Sequence, residues 1–111
     1  MRLPGNAVIP FEKLTNYLLK PRPWDDKSKF LAQAGFTGAN PEALHSALQE
    51  LAKTSEAVLE RVNEYGEILR AEGELRGPNG RILGVVTIWI RWHHDGEVRL
   101  VTLKPRKEMK R

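Results

Sequence analysis

Cysteine is absent from the 111-residue chain, which excludes disulfide scaffolds, thiol catalysis and cysteine-based zinc sites. Long apolar runs are absent too. The longest, Ile82 to Ile90, is broken by Gly84 and Thr87 and falls well short of the roughly 20 residues that span a bilayer. The chain shows no charged-then-apolar leader with a small-residue cleavage site, so a cytoplasmic location with no membrane partner is expected. Excess charge is missing from the body of the protein. The net +4 of eighteen basic and fourteen acidic residues equals the charge of Lys104 to Arg111, which holds five basic residues and one acid. Without that stretch thirteen of each sign remain (eighteen less five, fourteen less one). Overall basicity is therefore no argument for nucleic acid, and any such argument rests on a local patch.

What is present is an ordinary globular composition, 41% hydrophobic and 29% charged, at a length suited to one small domain. We expect that domain over residues 1–105, followed by a basic tail over 106–111.

The first half carries helical punctuation. Phe11, Leu14 and Leu18 recur at helical spacing after Pro10, and the helix should end before Pro21. Pro21-Arg22-Pro23 forms a stiff connector, after which Asp25 or Asp26 can cap a short helix running to Ala34. Its apolar side is Phe30, Leu31 and Ala34. Gly35 suits a left-handed C-terminal position, with Phe36 folding back on the last turn. A third helix starts at the Asn40 cap with Pro41 in its first position, and its stripe is Leu44, Leu48, Leu51 and Ala52. Residues 54–66 fit both periods and lean to an edge strand.

From Tyr65 onward the chain reads as a meander of strands. Between Arg81 and Trp92 the even positions Ile82, Val86, Ile88, Ile90 and Trp92 are apolar, whereas the odd positions are mixed. The even face is therefore expected to cover the helices. A four-residue loop at Gly77-Pro78-Asn79-Gly80 would pair Arg76 with Arg81, and a two-residue turn at Asp95-Gly96 would pair His94 with Glu97. These pairings put Leu69, Ala71, Gly73, Leu75, Val101 and Leu103 on the buried face. They gather Arg70, Glu72, Thr87, Trp89, Arg91, Thr102 and Lys104 on the open one.

That open face has the residue types of a nucleic-acid surface. Arg70, Arg91 and Lys104 can hold phosphate oxygens, and Trp89 can stack a base. A glutamate beside them can serve as a general base on a ribose 2′-hydroxyl while a cation stabilises the transition state. The plain alternative is a solvated sheet face with cross-strand pairs such as Arg70 beside Glu72. The histidines give no metal site. His45 lies at a helix margin, and the adjacent strand residues His93 and His94 point to opposite faces. Neither a metal nor a cofactor is expected.

A series of short motifs carries a further signal: Lys13-Leu14 with Tyr17-Leu18-Leu19, Lys27 to Gly35-Phe36, Tyr65-Gly66, Gly73, Gly77-Pro78-Asn79-Gly80-Arg81, Val86-Thr87-Ile88-Trp89 and Arg99-Leu100-Val101-Thr102. In this order they resemble an uncharacterised family of small bacterial domains that occur alone or as C-terminal modules of larger toxin-like proteins. The order of helices followed by antiparallel sheet also resembles the barnase–EndoU–colicin–RelE group of ribonuclease toxins, an analogy at the level of fold. This resemblance implies a metal-independent RNA endonuclease of a toxin–antitoxin or polymorphic toxin system, with RNA as substrate and a small neutralising partner protein. Its catalytic groups would fall on Lys27, Arg81, Thr87, Arg99 and Thr102.

The sequence thus predicts an α+β domain with about three N-terminal helices packed on one face of a three- to four-stranded antiparallel sheet. The leading function is a toxin-like RNA-cleaving or RNA-binding protein. The competing one is a noncatalytic interaction module, or a homodimer, built on the open face around Trp89.

Overall fold

Helical spacing in the first half of the chain gives short helices rather than long ones. The computed structural model describes residues 3–21, 23 and 27–106. Phe11–Lys13 is α1, and it runs without a break into a π-helical turn over Leu14–Leu18. The turn is closed by the Leu19 N–H, which donates to the Leu14 carbonyl five residues earlier (2.8 Å). Of the expected apolar stripe Leu14 and Leu18 are fully buried, whereas Phe11 stays exposed and packs edge-on against His45. Ser28–Ala32 forms α2. Gly35 adopts φ +91° and the Phe36 N–H returns to the Leu31 carbonyl (3.2 Å), the helix ending that Gly-Phe suggests. Arg22, Asp25 and Asp26, the expected connector and caps, lie outside the described residues.

The longest helix is α3, Pro41–Thr54, and it buries Leu44, Leu48, Leu51 and Ala52 as its spacing requires. Its start differs in one respect from expectation. The Asn40 side chain does not cap α3 but ties down the preceding loop. Its Oδ1 accepts from the Thr37 N–H (2.9 Å) and hydroxyl (3.0 Å), and its Nδ2 donates to the Gly35 carbonyl (3.1 Å).

The remainder is a four-stranded antiparallel meander in sequence order: β1 (Ala57–Val62), β2 (Gly66–Arg76), β3 (Ile82–Trp92) and β4 (Val98–Pro105). The stretch that fitted both periods is thus an edge strand. Near its N-terminus the chain adds a single parallel bridge between Val8 and Arg99, with the Val8 N–H donating to the Val98 carbonyl (2.7 Å). The coarse expectation of an α+β domain on an antiparallel sheet holds. The helical part is slighter than three full helices, since among the described residues α3 is the one α-helix longer than five residues.

Register is where sequence and structure part. Arg76 pairs with Ile82, so the β2–β3 loop holds five residues rather than four. The physical reason is docking. Asn79 Nδ2 donates to the Gln33 carbonyl (3.1 Å) and the Asn79 N–H to the Ala34 carbonyl (3.3 Å), which clasps the loop to the end of α2. A Cβ on Gly77 would lie 1.9 Å from the Ala34 carbonyl oxygen, so this close approach requires glycine. At the other hairpin the Trp92 N–H donates to the Glu97 carbonyl (3.0 Å), which gives a four-residue loop in place of the expected two. A bulge then leaves Val101 unpaired, between Trp89↔Leu100 and Ile88↔Thr102.

The longer β2–β3 loop and the bulge at Val101 each shift the pairing by one, and an odd shift turns a strand over, whereas the longer β3–β4 loop shifts it by two and keeps the side. β2 keeps its expected face, with Leu69, Ala71 and Leu75 in the helical core. β3 is inverted: Leu83, Val85, Thr87 and Trp89 face the helices, and Ile82, Val86, Ile88 and Ile90 do not. On β4 the core takes Val98, Leu100 and Leu103 rather than Val101. Thr87 and Trp89 are both 0% exposed. Their polar atoms are satisfied in series, with Trp89 Nε1 donating to Thr87 Oγ1 (2.8 Å) and that hydroxyl donating to the Ala71 carbonyl (2.8 Å).

Candidate functional site

The N-terminal bridge to β4 places α1 beside the outer edge of that strand, and the two enclose a cleft of about 470 Å³. Glu12, Lys13, Asn16 and Tyr17 line it from the helical side, and Trp92 and Arg99 from the sheet. The π-helical turn sets the geometry. It carries Tyr17 to where its hydroxyl lies 3.4 Å from Thr102 Oγ1 on β4. Such turns are rare and recur at functional sites. The bulge at Val101 lies on the rim of the same cleft, where a bulge re-aims the side chains around it.

Tyr17 is the hub. Lys13 Nζ is 5.8 Å and Lys27 Nζ 5.6 Å from its ring centroid, both within cation–π range. Lys27 immediately precedes α2, so side chains from the first helix, the second and β4 converge here. Arg99 contacts Glu97 through Nε and Nη2, both at 3.3 Å. Both partners are substantially exposed, and an exposed pair of this kind is weak enough for a phosphate to displace the carboxylate. The cleft lining thus offers two cations, Lys13 and Arg99, the Tyr17 phenol and the exposed Glu12 carboxylate, while Lys27 and the Thr102 hydroxyl reach Tyr17 from beside it.

Of the five residues expected to be catalytic, Arg99 lines the cleft, and Lys27 and Thr102 both meet Tyr17, which lines it too. Arg81 stands apart in the β2–β3 loop, where its N–H donates to Asn79 Oδ1 (2.9 Å). From Ile82 to Ile90, the residue opposite Arg99, the strand runs roughly 27 Å at about 3.3 Å per residue. Thr87 is corrected from open face to core, where its hydroxyl is committed to Trp89 and Ala71. Trp89 is corrected likewise: a fully buried indole cannot stack a base. Arg91 shares the Trp89 side of β3 and pairs with Glu67 (2.8 Å). Arg70 is exposed and pairs with Glu72 (2.6 Å), and Lys104 is exposed opposite Val86.

Glu12, Lys13, Asn16, Tyr17 and Trp92 were missed as site residues. Lys13 and Tyr17 stand four residues apart on a helical segment, a spacing that puts them on one face, and that signal was available. Trp92 was assigned to the wrong side by the inverted register. Among the described residues no group of three or more His, Asp or Glu side chains gathers as a metal site needs. No described helix is long and apolar enough to cross a membrane.

Among curated proteins none matches the chain in sequence. In three dimensions it is similar to a chain of a contact-dependent growth inhibition toxin–immunity protein complex from Klebsiella pneumoniae 342, with a TM-score of 0.66 and 18% identity. That match covers 90% of this chain and 100% of the other, and at this identity it establishes a shared fold. Residues 3–107 match the sequence profile of one family over nearly the whole length, and the chain belongs to that family, the Domain of unknown function DUF6883.

Proposed function

We propose that this chain is a toxin-type RNA endonuclease domain whose site is the cleft between α1, its π-helical turn and β4. The observation that carries the reading is the convergence on Tyr17 of Lys13, Lys27 and Thr102, with Arg99 and Glu12 in the same cleft. The fold shared with a chain of a toxin–immunity complex supports it, and a small neutralising partner protein follows from the same reading.

In this scheme Glu12 takes the proton from a ribose 2′-hydroxyl, and the 2′-oxygen attacks the adjacent phosphorus. Lys13, Lys27 and Arg99 offset the charge that develops on the non-bridging oxygens, a task that needs no metal. The Tyr17 hydroxyl, positioned beside Thr102, gives its proton to the departing 5′-oxygen as the P–O5′ bond breaks. The products are a 2′,3′-cyclic phosphate and a 5′-hydroxyl. The test is incubation of the purified chain with RNA in a chelator, followed by end-group analysis. Cyclic-phosphate ends are expected, and Arg99→Ala or Tyr17→Phe should slow their formation about a hundredfold or more. Absence of cleavage by the unaltered chain, or full activity in both variants, would overturn the proposal.

A second reading, a noncatalytic module that binds a partner or a second copy, is favoured by the apolar edge strand. Val58 and Val62 on β1 are 63% and 57% exposed, an unusual state for valines on an unpaired edge. Under that reading, substitutions on β1 abolish complex formation and the cleft variants change nothing.

A further inference from the structure

Beyond the cleft, at the end of the sheet, three rings stand in a row. Trp92 ends β3 and lines the cleft beside Arg99. Its ring lies 6.3 Å from that of Tyr65 at 78°, and 5.8 Å from that of His94 at 57°. None of the three belongs to the hydrophobic core. Tyr65 is 59% exposed, and the His94 side chain is 73% exposed. The residue opposite Trp92 is Gly66, which offers no cross-strand side chain to cover the indole.

The backbone beneath these rings is held firmly. Asn63 Oδ1 accepts from the N–H groups of Tyr65 (2.8 Å) and Gly66 (3.0 Å), and the His93 N–H donates to the Tyr65 carbonyl (3.0 Å). On the far side of Trp92, the Gly96 N–H donates to its carbonyl (2.8 Å) and Asp95 Oδ1 accepts from the Glu97 N–H (2.8 Å). The β1–β2 and β3–β4 turns are thus cross-tied, and they present aromatic rings without burying them. Two exposed rings flanking a half-buried indole, on a rigid frame beside a cationic cleft, have the composition of a single-strand binding surface. There the phosphates run over cations while the bases lie on aromatic faces.

We infer that Tyr65, Trp92 and His94 form a base-stacking subsite for single-stranded RNA whose backbone enters the cleft at Arg99. The inference deepens the proposed nuclease and rests on it. Duplex RNA is excluded as the ligand of this subsite, because paired and stacked bases cannot turn their faces to side chains. Two acids lie close to the row: Asp95 is 3.3 Å from His94 Nε2, and Glu97 is 3.3 Å from Arg99, where an incoming phosphate would compete with it.

The test uses the full chain and two fluorescent probes. One is a single-stranded RNA made uncleavable by 2′-O-methylation, and the other is an abasic oligonucleotide of equal length. Trp92→Ala should weaken binding of the RNA about tenfold or more and leave the abasic probe nearly unchanged, while Trp92→Phe retains most of the affinity. Tyr65→Ala removes a ring already exposed, so it carries the same test if Trp92→Ala fails to fold. Equal losses on both probes, or no loss on either, overturn the subsite. If Arg99→Ala weakens both probes while the aromatic variants weaken neither, the nuclease reading stands and the subsite falls. If the unaltered chain binds no RNA, both fall together.

Discussion

The two faces of β3 solve the same burial problem by different means. Toward the helices it presents Leu83, Val85, Thr87 and Trp89, sealed by Leu14, Leu18, Leu44 and Leu48. On the other side Val86 and Ile90 are also buried, at 4% and 9% exposure, yet they stand outside the helical core. Long side chains share that face in the register: Lys104 stands opposite Val86, Arg99 opposite Ile90 and Arg70 opposite Ile88. A strand apolar on both faces therefore does not reveal from composition which face is the core. On the inward face the indole N–H and the Thr87 hydroxyl are cut off from water, and a chain of hydrogen bonds ending at the Ala71 carbonyl satisfies both.

The comparison predicts a graded series of stability losses, measurable by urea denaturation of the purified chain. Trp89→Ala should be the most damaging, at about 3–5 kcal/mol, because it empties a fully enclosed site. Equal tolerance of Trp89→Ala and Ile90→Ala would erase the distinction between the faces. Thr87→Val keeps the shape but strands the buried Trp89 N–H, and should cost about 1–3 kcal/mol. A neutral result would show that the hydroxyl does not set the register. Ile90→Ala leaves a hollow that neighbouring flexible side chains can fill, so about 1–2 kcal/mol is expected. Arg70→Ala ends the series. Its pair with Glu72 is exposed on both sides and contributes at most about 0.5 kcal/mol, so a larger loss would mean that the arginine stem is a structural cover.

The same division runs through the candidate site. Among the residues that the motifs suggest, Arg99 lines the cleft, and Lys27 and Thr102 meet at Tyr17. Tyr17 and Glu12, to which the proposed cleavage assigns the proton transfers, lie between the positions of the apolar stripe that dominates this segment of the sequence. Arg81 and Thr87 shared the same motifs but went elsewhere, one to a distant loop and the other into the core. Residue type indicated which chemistry was available, and chain topology selected which of it would meet.

By itself the sequence determined the local elements: the α3 stripe, the Gly35-Phe36 helix ending and the antiparallel meander from Tyr65 onward, while the stretch before it fitted both periods. Each of these depends on neighbours within a few residues, through periodicity, fixed φ angles or turn chemistry. Only the tertiary structure decided the two hairpin registers, the inward face of β3 and the cleft at β4. The β2–β3 loop is five residues long because it docks on α2, and the bulge at Val101 forms where β4 passes α1 and its π-helical turn. One residue of slip is almost invisible to local pattern, yet it reverses an entire strand, so parity is settled by contacts that are remote in the chain.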